Sequence, residues 1–196
     1  GVGKTTTTVN LAMALAQGGL NVLVIDIDPQ GNASTALGVE HAPGTKGTYE
    51  VLTEQIGIIE HAKTSPHSPN LHVLPAAIDL AMAELELVND RGLEMRMRDA
   101  IEQYIEESGV DYIFFDCPPS LGLLTLNALV ASTEILVPIQ TEYYALEGVS
   151  HLMRTINKVK GNLNDDLSLS TILLTMFDPR TNLSREVADE VRRHFP

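Results

Sequence analysis

Apolar and polar positions follow two periods along the chain, and each period predicts a different kind of element. Nearly continuous apolar runs that end in acids occur in NVLVIDID at residues 21–28 and in DYIFFD at residues 111–116. Such runs are typical of strands that are buried on both faces of a sheet. Apolar positions at helical spacing predict amphipathic helices over residues 5–17 and from residue 93 to the glycine at 109, since glycine commonly ends a helix.

The rest of the chain continues this alternation of strands and helices. Further strands are predicted from residue 71 and over 134–138 and 167–176, with helices at about 121–131, 146–160 and 183–194. Residues 31–47 favour a loop with a short helix, and HAKTSPHSPN at 61–70 favours a polar surface loop. The alternation predicts an α/β fold in which crossover units build a mostly parallel central sheet with helices on both faces. Because no linker divides the chain, one domain over residues 1–196 is expected.

The charge of the chain is strongly negative but unevenly placed. The formal net charge is −13, which on its own argues against nucleic acid as a partner. Residues 1–150 hold 6 Lys and Arg against 20 Asp and Glu, whereas residues 151–196 hold 7 basic and 6 acidic side chains. Screening limits the reach of each charge to about 8–10 Å, so a local basic face is compatible with an acidic protein.

The sequence contains no targeting or membrane signal. No apolar run approaches the roughly 20 residues that span a membrane, and residues 1–10 lack the basic and apolar regions of a signal peptide. The single cysteine, Cys117, excludes an intramolecular disulfide and fits a reducing compartment. The predicted location is therefore cytoplasmic.

The opening stretch, GVGKTTTTVN, predicts a phosphate-binding site. Gly1 and Gly3 let the backbone approach an anion closely, and Lys4 supplies a positive charge. The hydroxyl of Thr5 is a ligand for Mg²⁺, and the helix predicted from this residue directs its N-terminus at the phosphates. A chance GKT in front of an ordinary helix is the alternative that this motif leaves open.

Acidic residues close two of the predicted strands. Asp26 and Asp28 end one apolar run, and Asp116 ends another. Ligands of open parallel sheets bind beyond the carboxyl ends of the strands, so these carboxylates are expected near Lys4 and Thr5. Carboxylates in that position hold Mg²⁺ through its waters, and an aspartate can orient the attacking water in phosphoryl transfer.

Five stretches give the chain a specific resemblance to a known family. GVGKTTTTVNLA, VLVIDIDPQGNAS, FFDCPPSLGLLTLNAL, VPIQTEYYALEGV and TMFDPRTNLS resemble the ParA-type chromosome- and plasmid-partitioning ATPases. These are P-loop proteins with a deviant Walker A motif, related to MinD and to the nitrogenase iron protein. The resemblance runs through nearly the whole chain and implies the P-loop NTPase form of the α/β fold.

The resemblance also implies a role for each residue of the site. Lys4 corresponds to the catalytic loop lysine on the β- and γ-phosphates, and Asp28 to the catalytic residue that positions the hydrolytic water. Thr5 corresponds to the Mg²⁺ ligand, and Asp26 and Asp116 to acids around the metal. The residues implied for ATP binding are Gly1, Val2, Gly3, Lys4, Thr5, Thr6 and, near the adenine, Met176.

The function implied by the resemblance is ATP-dependent DNA segregation. Binding of Mg·ATP would produce a homodimer that sandwiches the nucleotides, and this dimer would bind double-stranded nucleoid DNA without sequence preference. A ParB-type centromere-binding protein would stimulate the weak hydrolysis of ATP and so release the DNA. Candidate DNA contacts are Arg180, Arg185, Arg192 and Arg193, for which a solvated helix surface balanced by nearby acids is the equally weighted alternative.

Three other functions are weighed against DNA segregation. A MinD-like ATPase would cycle on a membrane, but DCPPSLG resembles the partitioning branch more closely, and no membrane partner is expected. An ATP-gated DNA-binding regulator would bind ATP with negligible hydrolysis. An iron–sulfur reductase needs four thiolates, whereas a dimer of this chain supplies two, so Cys117 is expected to be a buried, inert thiol.

Several further side chains have no implied chemistry. His61, His67 and His72 lack acidic or cysteine neighbours at ligand spacing and are expected at the surface. Tyr143 and Tyr144 are expected to serve packing or an interface.

In the family the phosphate loop reads KGGVGKT, whereas this chain opens at its second glycine. The signature lysine, which in such dimers reaches the partner's nucleotide, would lie two residues before Gly1, after a buried central strand. A further strand and helix would follow Pro196. The chain is therefore expected to be part of a longer protein.

Overall fold

The computed structural model describes residues 1–86, 92–142 and 145–195. Its helices are α1 (Lys4–Gln17), α2 (Asn32–Ala36), α3 (Thr48–Thr53), α4 (Ile58–His61), α5 (Leu80–Glu86), α6 (Arg96–Ser108), α7 (Leu123–Ala131), α8 (Ala145–Asn162) and α9 (Asn182–His194). Its strands are β1 (Val22–Asp26), β2 (Lys63–Thr64), β3 (Leu71–Leu74), β4 (Tyr112–Asp116), β5 (Glu134–Gln140) and β6 (Ser168–Thr175). The chain divides into two compact units, Thr5–Ala131 and Gly1–Lys4 with Ser132–Pro196.

The unit formed by Thr5–Ala131 contains a four-stranded sheet in the order β2-β3-β1-β4. Strand β1 lies between β3 and β4 and runs parallel to both, while the two-residue β2 pairs antiparallel with the outer edge of β3. The register places Asp26 directly beside Asp116 at the carboxyl ends of β1 and β4. The predicted parallel sheet is confirmed, with two of its strand-end acids as neighbours.

Helices cover both faces of this sheet, so every side chain of β1 is buried. Leu23 and Ile25 pack into a core cluster with side chains from α3, α5, α6 and α7. Val22 and Val24 point to the opposite face and pack against Ala12 and Ala16 of α1, among others. Alternate residues of one strand thus support two separate apolar layers, as expected for a doubly covered parallel sheet.

The second unit contains the parallel pair β5-β6. Val137 and Ile139 of β5 form a core cluster with Val187 and Val191, which lie four residues apart on α9. This spacing places both valines on one face of the helix, as the apolar pattern predicts. The opposite face of α9 carries charged side chains.

Most predicted elements are confirmed to within a few residues, including the end of α6 at Gly109, which has a φ of 63°. The prediction of a polar, proline-bearing surface loop at 61–70 is wrong in part. Lys63–Thr64 form β2, and the side chains of Ser65 and Ser68 are buried. The Ser65 hydroxyl donates to the Leu37 carbonyl oxygen at 2.8 Å, so this polar segment is fixed to the core by hydrogen bonds rather than by apolar burial.

The sequence patterns did not indicate α3, α4 and α5, which are short. His67 is exposed as predicted, whereas His61 and His72 are half-buried. The predictions for Tyr143 and Tyr144 lie outside the described residues. No described helix has the length and apolar character that a membrane span requires.

Candidate functional site

A hydroxyl and a carboxylate predicted for one site are in direct contact. The Oγ1 atom of Thr5, in the first turn of α1, donates a hydrogen bond of 2.7 Å to Oδ2 of Asp116. Asp116 is the last residue of β4 and is buried. The amino end of α1 and the carboxyl end of β4 therefore meet, as expected for a ligand site at the carboxyl edge of a parallel sheet.

Asp26 is fully buried at the end of β1, and its carboxylate accepts three hydrogen bonds. Its Oδ2 atom accepts from the backbone N–H of Ser34 at 2.8 Å and from the Ser34 hydroxyl at 2.7 Å. Its Oδ1 atom accepts from the N–H of Asp28 at 3.2 Å. Burial raises the pKa of Asp26 to about 6, and the nearby Asp116 carboxylate raises it as well, while the bonds from Ser34 oppose the shift.

Asp28 lies two residues beyond the end of β1 and is 9% exposed. Its Oδ1 atom accepts from the N–H of Gln30 at 3.0 Å, and its carbonyl oxygen accepts from the N–H of Gly31 at 2.9 Å. This local turn fixes the carboxylate at the rim of the sheet edge. The side chain is thus held in place while part of its surface remains accessible.

The donor set of this edge fits Mg²⁺. Two buried carboxylates on adjacent strands, Asp26 and Asp116, repel each other, and a cation between or beside them would relieve that repulsion. Within residues 1–86, 92–142 and 145–195, no group of three or more His, Cys, Asp or Glu side chains forms a metal cage. Mg²⁺ commonly keeps several waters and takes one or two carboxylates together with phosphate oxygens, so two carboxylates and a hydroxyl suffice.

In the other unit, the glycine-rich opening contacts the end of β6. The Thr175 hydroxyl donates to the carbonyl oxygen of Val2 at 2.9 Å. Gly3 has a φ of 90°, a backbone conformation that residues other than glycine rarely adopt. A Cβ at this position would lie 3.5 Å from the Thr175 methyl group. The predicted loop thus has the backbone conformation for which glycine is needed.

Met176, predicted near an adenine, follows β6 directly and is 63% exposed. Its φ of 53° lies in the left-handed region, a backbone conformation that costs a residue such as methionine about 1–2 kcal/mol of free energy. Its carbonyl oxygen accepts a bond of 3.3 Å from the Thr141 hydroxyl. Such strain often accompanies ligand contact, and the adenine role stays a prediction.

The four arginines proposed for DNA contact are exposed, but most are paired with acids. Arg180 contacts Asp178 through two nitrogen atoms, and its closest approach is 2.8 Å. Arg192 pairs with Asp189 at 3.2 Å and Arg193 pairs with Glu190 at 2.8 Å. Arg185 instead donates to the neutral carbonyl oxygen of Pro179 at 2.8 Å, a contact that does not offset its positive charge as a carboxylate would.

Two hydroxyls that the sequence patterns did not single out contact Asp26. Besides Ser34, the buried Thr48 donates from its hydroxyl to the carbonyl oxygen of Asp26 at 2.7 Å. The available signal was small hydroxyl residues in GNAS, within the stretch 31–47 predicted as a loop with a short helix, and in GTY, whose Thr48 lies just beyond that stretch. Cys117, expected to be buried, is half-buried and packs against the core cluster of α3 to α7.

Comparison with known proteins assigns the family. A family model described as an AAA domain matches residues 1–169. The sporulation initiation inhibitor protein Soj of Bacillus subtilis is 49% identical over 195 residues, which cover 100% of this chain and 76% of that protein. The chain belongs to the ParA/Soj family of P-loop ATPases.

Other ParA/Soj relatives and solved structures agree with this assignment. The chromosome partitioning protein ParA of Myxococcus xanthus is 50% identical, over 100% of this chain and 68% of that protein. A solved structure described as cobyrinic acid a,c-diamide synthase of Mycobacterium smegmatis, with bound ATP analog and magnesium, is 37% identical with a TM-score of 0.90. The match covers 100% of this chain and 78% of the chain in that structure. The predicted α/β P-loop NTPase fold is confirmed.

Proposed function

We propose that this protein is an ATP-dependent DNA-segregation ATPase that acts in chromosome or plasmid partitioning. The observation that carries the ATPase part of the proposal is the 2.7 Å bond from Thr5 to Asp116, at the sheet edge where Asp26 also ends its strand. A hydroxyl and two carboxylates at that edge suit a divalent cation bound together with phosphates. The partitioning role is supported by the name of the Myxococcus xanthus relative, a chromosome partitioning protein that is 50% identical.

ATP would bind to the opening segment of the chain. The N–H groups of the loop from Gly1 to Thr6 would face the phosphates, and Lys4 would place its charge on the β- and γ-phosphates. Met176 would lie near the base. The positive φ of Gly3 supports the loop conformation that this role requires.

Thr5, Asp26 and Asp116 would hold Mg²⁺, which when bound neutralises charge that develops on the transferred phosphoryl group. Asp28 would orient the attacking water by accepting a hydrogen bond from it. The carboxylate of Asp28 suits this task because its Oδ1 atom is already fixed by the Gln30 N–H. Positioning and charge stabilisation are the main contributions that a protein makes to this reaction.

Hydrolysis would be weak and coupled to association. ATP binding favours a homodimer, and the dimer binds double-stranded DNA without sequence preference through exposed arginines of the segment from Arg180 to Arg193. A ParB-type partner stimulates hydrolysis and releases the DNA. On this proposal the protein is cytoplasmic and associated with the nucleoid.

Phosphate release by the whole protein tests the proposal. Turnover with ATP and Mg²⁺ is expected to be slow, to stop when EDTA is added, and to rise when double-stranded DNA and a ParB-type protein are both present. Nucleotide binding without hydrolysis under every condition would instead identify an ATP-gated regulator. Stimulation by liposomes in place of DNA would identify a membrane-cycling ATPase.

The name of the Mycobacterium smegmatis structure raises a second candidate, an ATP-dependent diamide synthase. Its identity of 37% is lower than the 49% and 50% of the relatives named for sporulation control and partitioning. ATP turnover that depends on cobyrinic acid and an amide nitrogen donor, and not on DNA, would favour the synthase over the partitioning ATPase.

A further inference from the structure

Ser34 contacts the Asp26 carboxylate through two different groups. Its hydroxyl donates to Oδ2 at 2.7 Å and its backbone N–H donates to the same oxygen at 2.8 Å. Both residues are fully buried, with 0% of their surface exposed. Water therefore does not compete for these bonds, and the carboxylate has one preferred orientation.

The proton of the Ser34 hydroxyl is committed to Asp26. The Oγ atom of Ser34 accepts the N–H of Ala76 at 3.2 Å, which occupies one side of the oxygen and directs its own hydrogen at the carboxylate. Ala76 lies in the segment that follows β3, next to β1 in the sheet. Ser34 therefore links the ends of two neighbouring strands through one hydroxyl.

The two oxygens of Asp26 are not equivalent. Oδ2 accepts both short bonds from Ser34, whereas Oδ1 accepts one longer bond of 3.2 Å from Asp28. A carboxylate oxygen has two lone pairs, so Oδ1 retains the capacity to bind a cation or one of its waters. Fixing Oδ2 thus determines where Oδ1 points.

We propose that Ser34 is a positioning residue that holds the Asp26 carboxylate in the orientation required for Mg²⁺; this inference rests on the proposed function. Ser34 acts through Asp26 and does not itself touch the nucleotide. Hydrogen-bond partners that orient a metal-ligating side chain typically contribute 10–100-fold to metal affinity.

Thr48 provides a matched control for the loss of a buried hydroxyl. It is also 0% exposed and donates to Asp26 at 2.7 Å, but to the backbone carbonyl oxygen rather than to the carboxylate. Ser34→Ala and Thr48→Val each remove one buried hydroxyl from the surroundings of Asp26 with little change in shape. Loss of structure would affect both variants, whereas loss of carboxylate orientation would affect Ser34→Ala.

The test is a titration of the whole protein with MgCl₂, in which binding of a fluorescent ATP analogue (mant-ATP) is measured at each Mg²⁺ concentration. Binding of mant-ATP in EDTA and unfolding in urea are measured in parallel. For Ser34→Ala we expect the half-saturating Mg²⁺ concentration to rise about tenfold or more, with binding in EDTA unchanged within about twofold. For Thr48→Val we expect the wild-type Mg²⁺ concentration, with a loss of stability similar to that of Ser34→Ala.

Equal shifts in both variants, or no shift in Ser34→Ala, would overturn the positioning role of Ser34. A Ser34→Ala variant that no longer binds mant-ATP in EDTA would also overturn it, because the defect would then lie outside the metal. Wild-type protein that binds mant-ATP equally with Mg²⁺ and with EDTA would contradict the proposed metal site itself, an outcome that the wild-type titration identifies before any variant is compared.

Discussion

The hydroxyl of Thr5 lies 2.7 Å from the carboxylate of Asp116, which joins the first turn of α1 to the end of β4. The two residues are separated by 111 positions in the chain. Their contact brings a hydroxyl from the glycine-rich motif to an acid that ends a buried strand. This contact favours one functional site at the carboxyl edge of the sheet over the alternative that the glycine-rich motif and the strand-end acid are unrelated.

Substitution of Thr5 tests whether its hydroxyl serves the reaction. Thr5→Val keeps the shape of the side chain but removes a hydroxyl that would bind Mg²⁺ directly, so we expect kcat/KM for ATP to fall by at least the roughly 10–100-fold typical of residues that only orient a metal ligand. Thr5→Ser keeps the hydroxyl and should retain activity within a few-fold of wild type. Steady-state phosphate release over a range of Mg²⁺ concentrations measures both. Equal activity of the valine and serine variants would contradict a role for the hydroxyl.

Asp28→Ala is expected to separate association from turnover. The variant loses the carboxylate that would orient water but keeps Thr5, Asp26 and Asp116, so ATP binding and ATP-dependent dimerisation should persist while hydrolysis falls to background. Light scattering with ATP and phosphate release measure the two properties. Hydrolysis at the wild-type rate would remove Asp28 from the mechanism.

The acids of this edge could be predicted because strands that end in a carboxylate and run parallel must bring those carboxylates to one edge, as Asp26 and Asp116 show. Ser34 could not be predicted in the same way. Its contact depends on a turn that returns the chain to Asp26 after eight residues, and on the N–H of Ala76 from another strand connection. Polar residues buried through such non-local bonds, including Ser65, carry no periodic signal.

Burial of Asp26 predicts a pH dependence of stability in the metal-free protein. The pKa of its carboxyl is raised from 3.8 to about 6, so the folded state holds the proton more tightly than the unfolded state. Its contribution to folding is therefore complete below about pH 4 and is lost as the pH rises through about 6. A shift of this size corresponds to about 3 kcal/mol.

Urea unfolding in EDTA between pH 4 and pH 7 measures this effect, with Asp26→Asn as the reference. The free energy of unfolding of the wild type is expected to fall relative to that of the variant by up to about 3 kcal/mol across this range. A constant difference between the two proteins would show that Asp26 titrates near its ordinary pKa.

Gly47 is expected to tolerate no side chain, because a Cβ there would lie 2.0 Å from the carbonyl oxygen of Pro75. Its backbone is extended, so the cost arises from space and not from conformation. We expect Gly47→Ala to lower the free energy of unfolding by about 2–3 kcal/mol. Gly57→Ala is the control, since the nearest atom to its Cβ is a Glu60 oxygen at 3.7 Å, and it should cost less than about 1 kcal/mol. Similar losses in the two variants would contradict the steric argument.

Arg185 is expected to contribute more to DNA binding than Arg180. The guanidinium of Arg180 is paired with the Asp178 carboxylate through two nitrogen atoms, whereas Arg185 donates to a neutral carbonyl oxygen, which does not offset its charge toward a phosphate. Arg185→Glu should therefore weaken ATP-dependent binding to nonspecific double-stranded DNA. It should also make the plot of log affinity against log salt concentration less steep, by about the slope that one phosphate contact contributes. Arg180→Glu should have a smaller effect on both quantities.

Fluorescence anisotropy of labelled duplex DNA at several salt concentrations measures affinity and slope together. Wild-type values for Arg185→Glu would assign this arginine to the solvated face of α9.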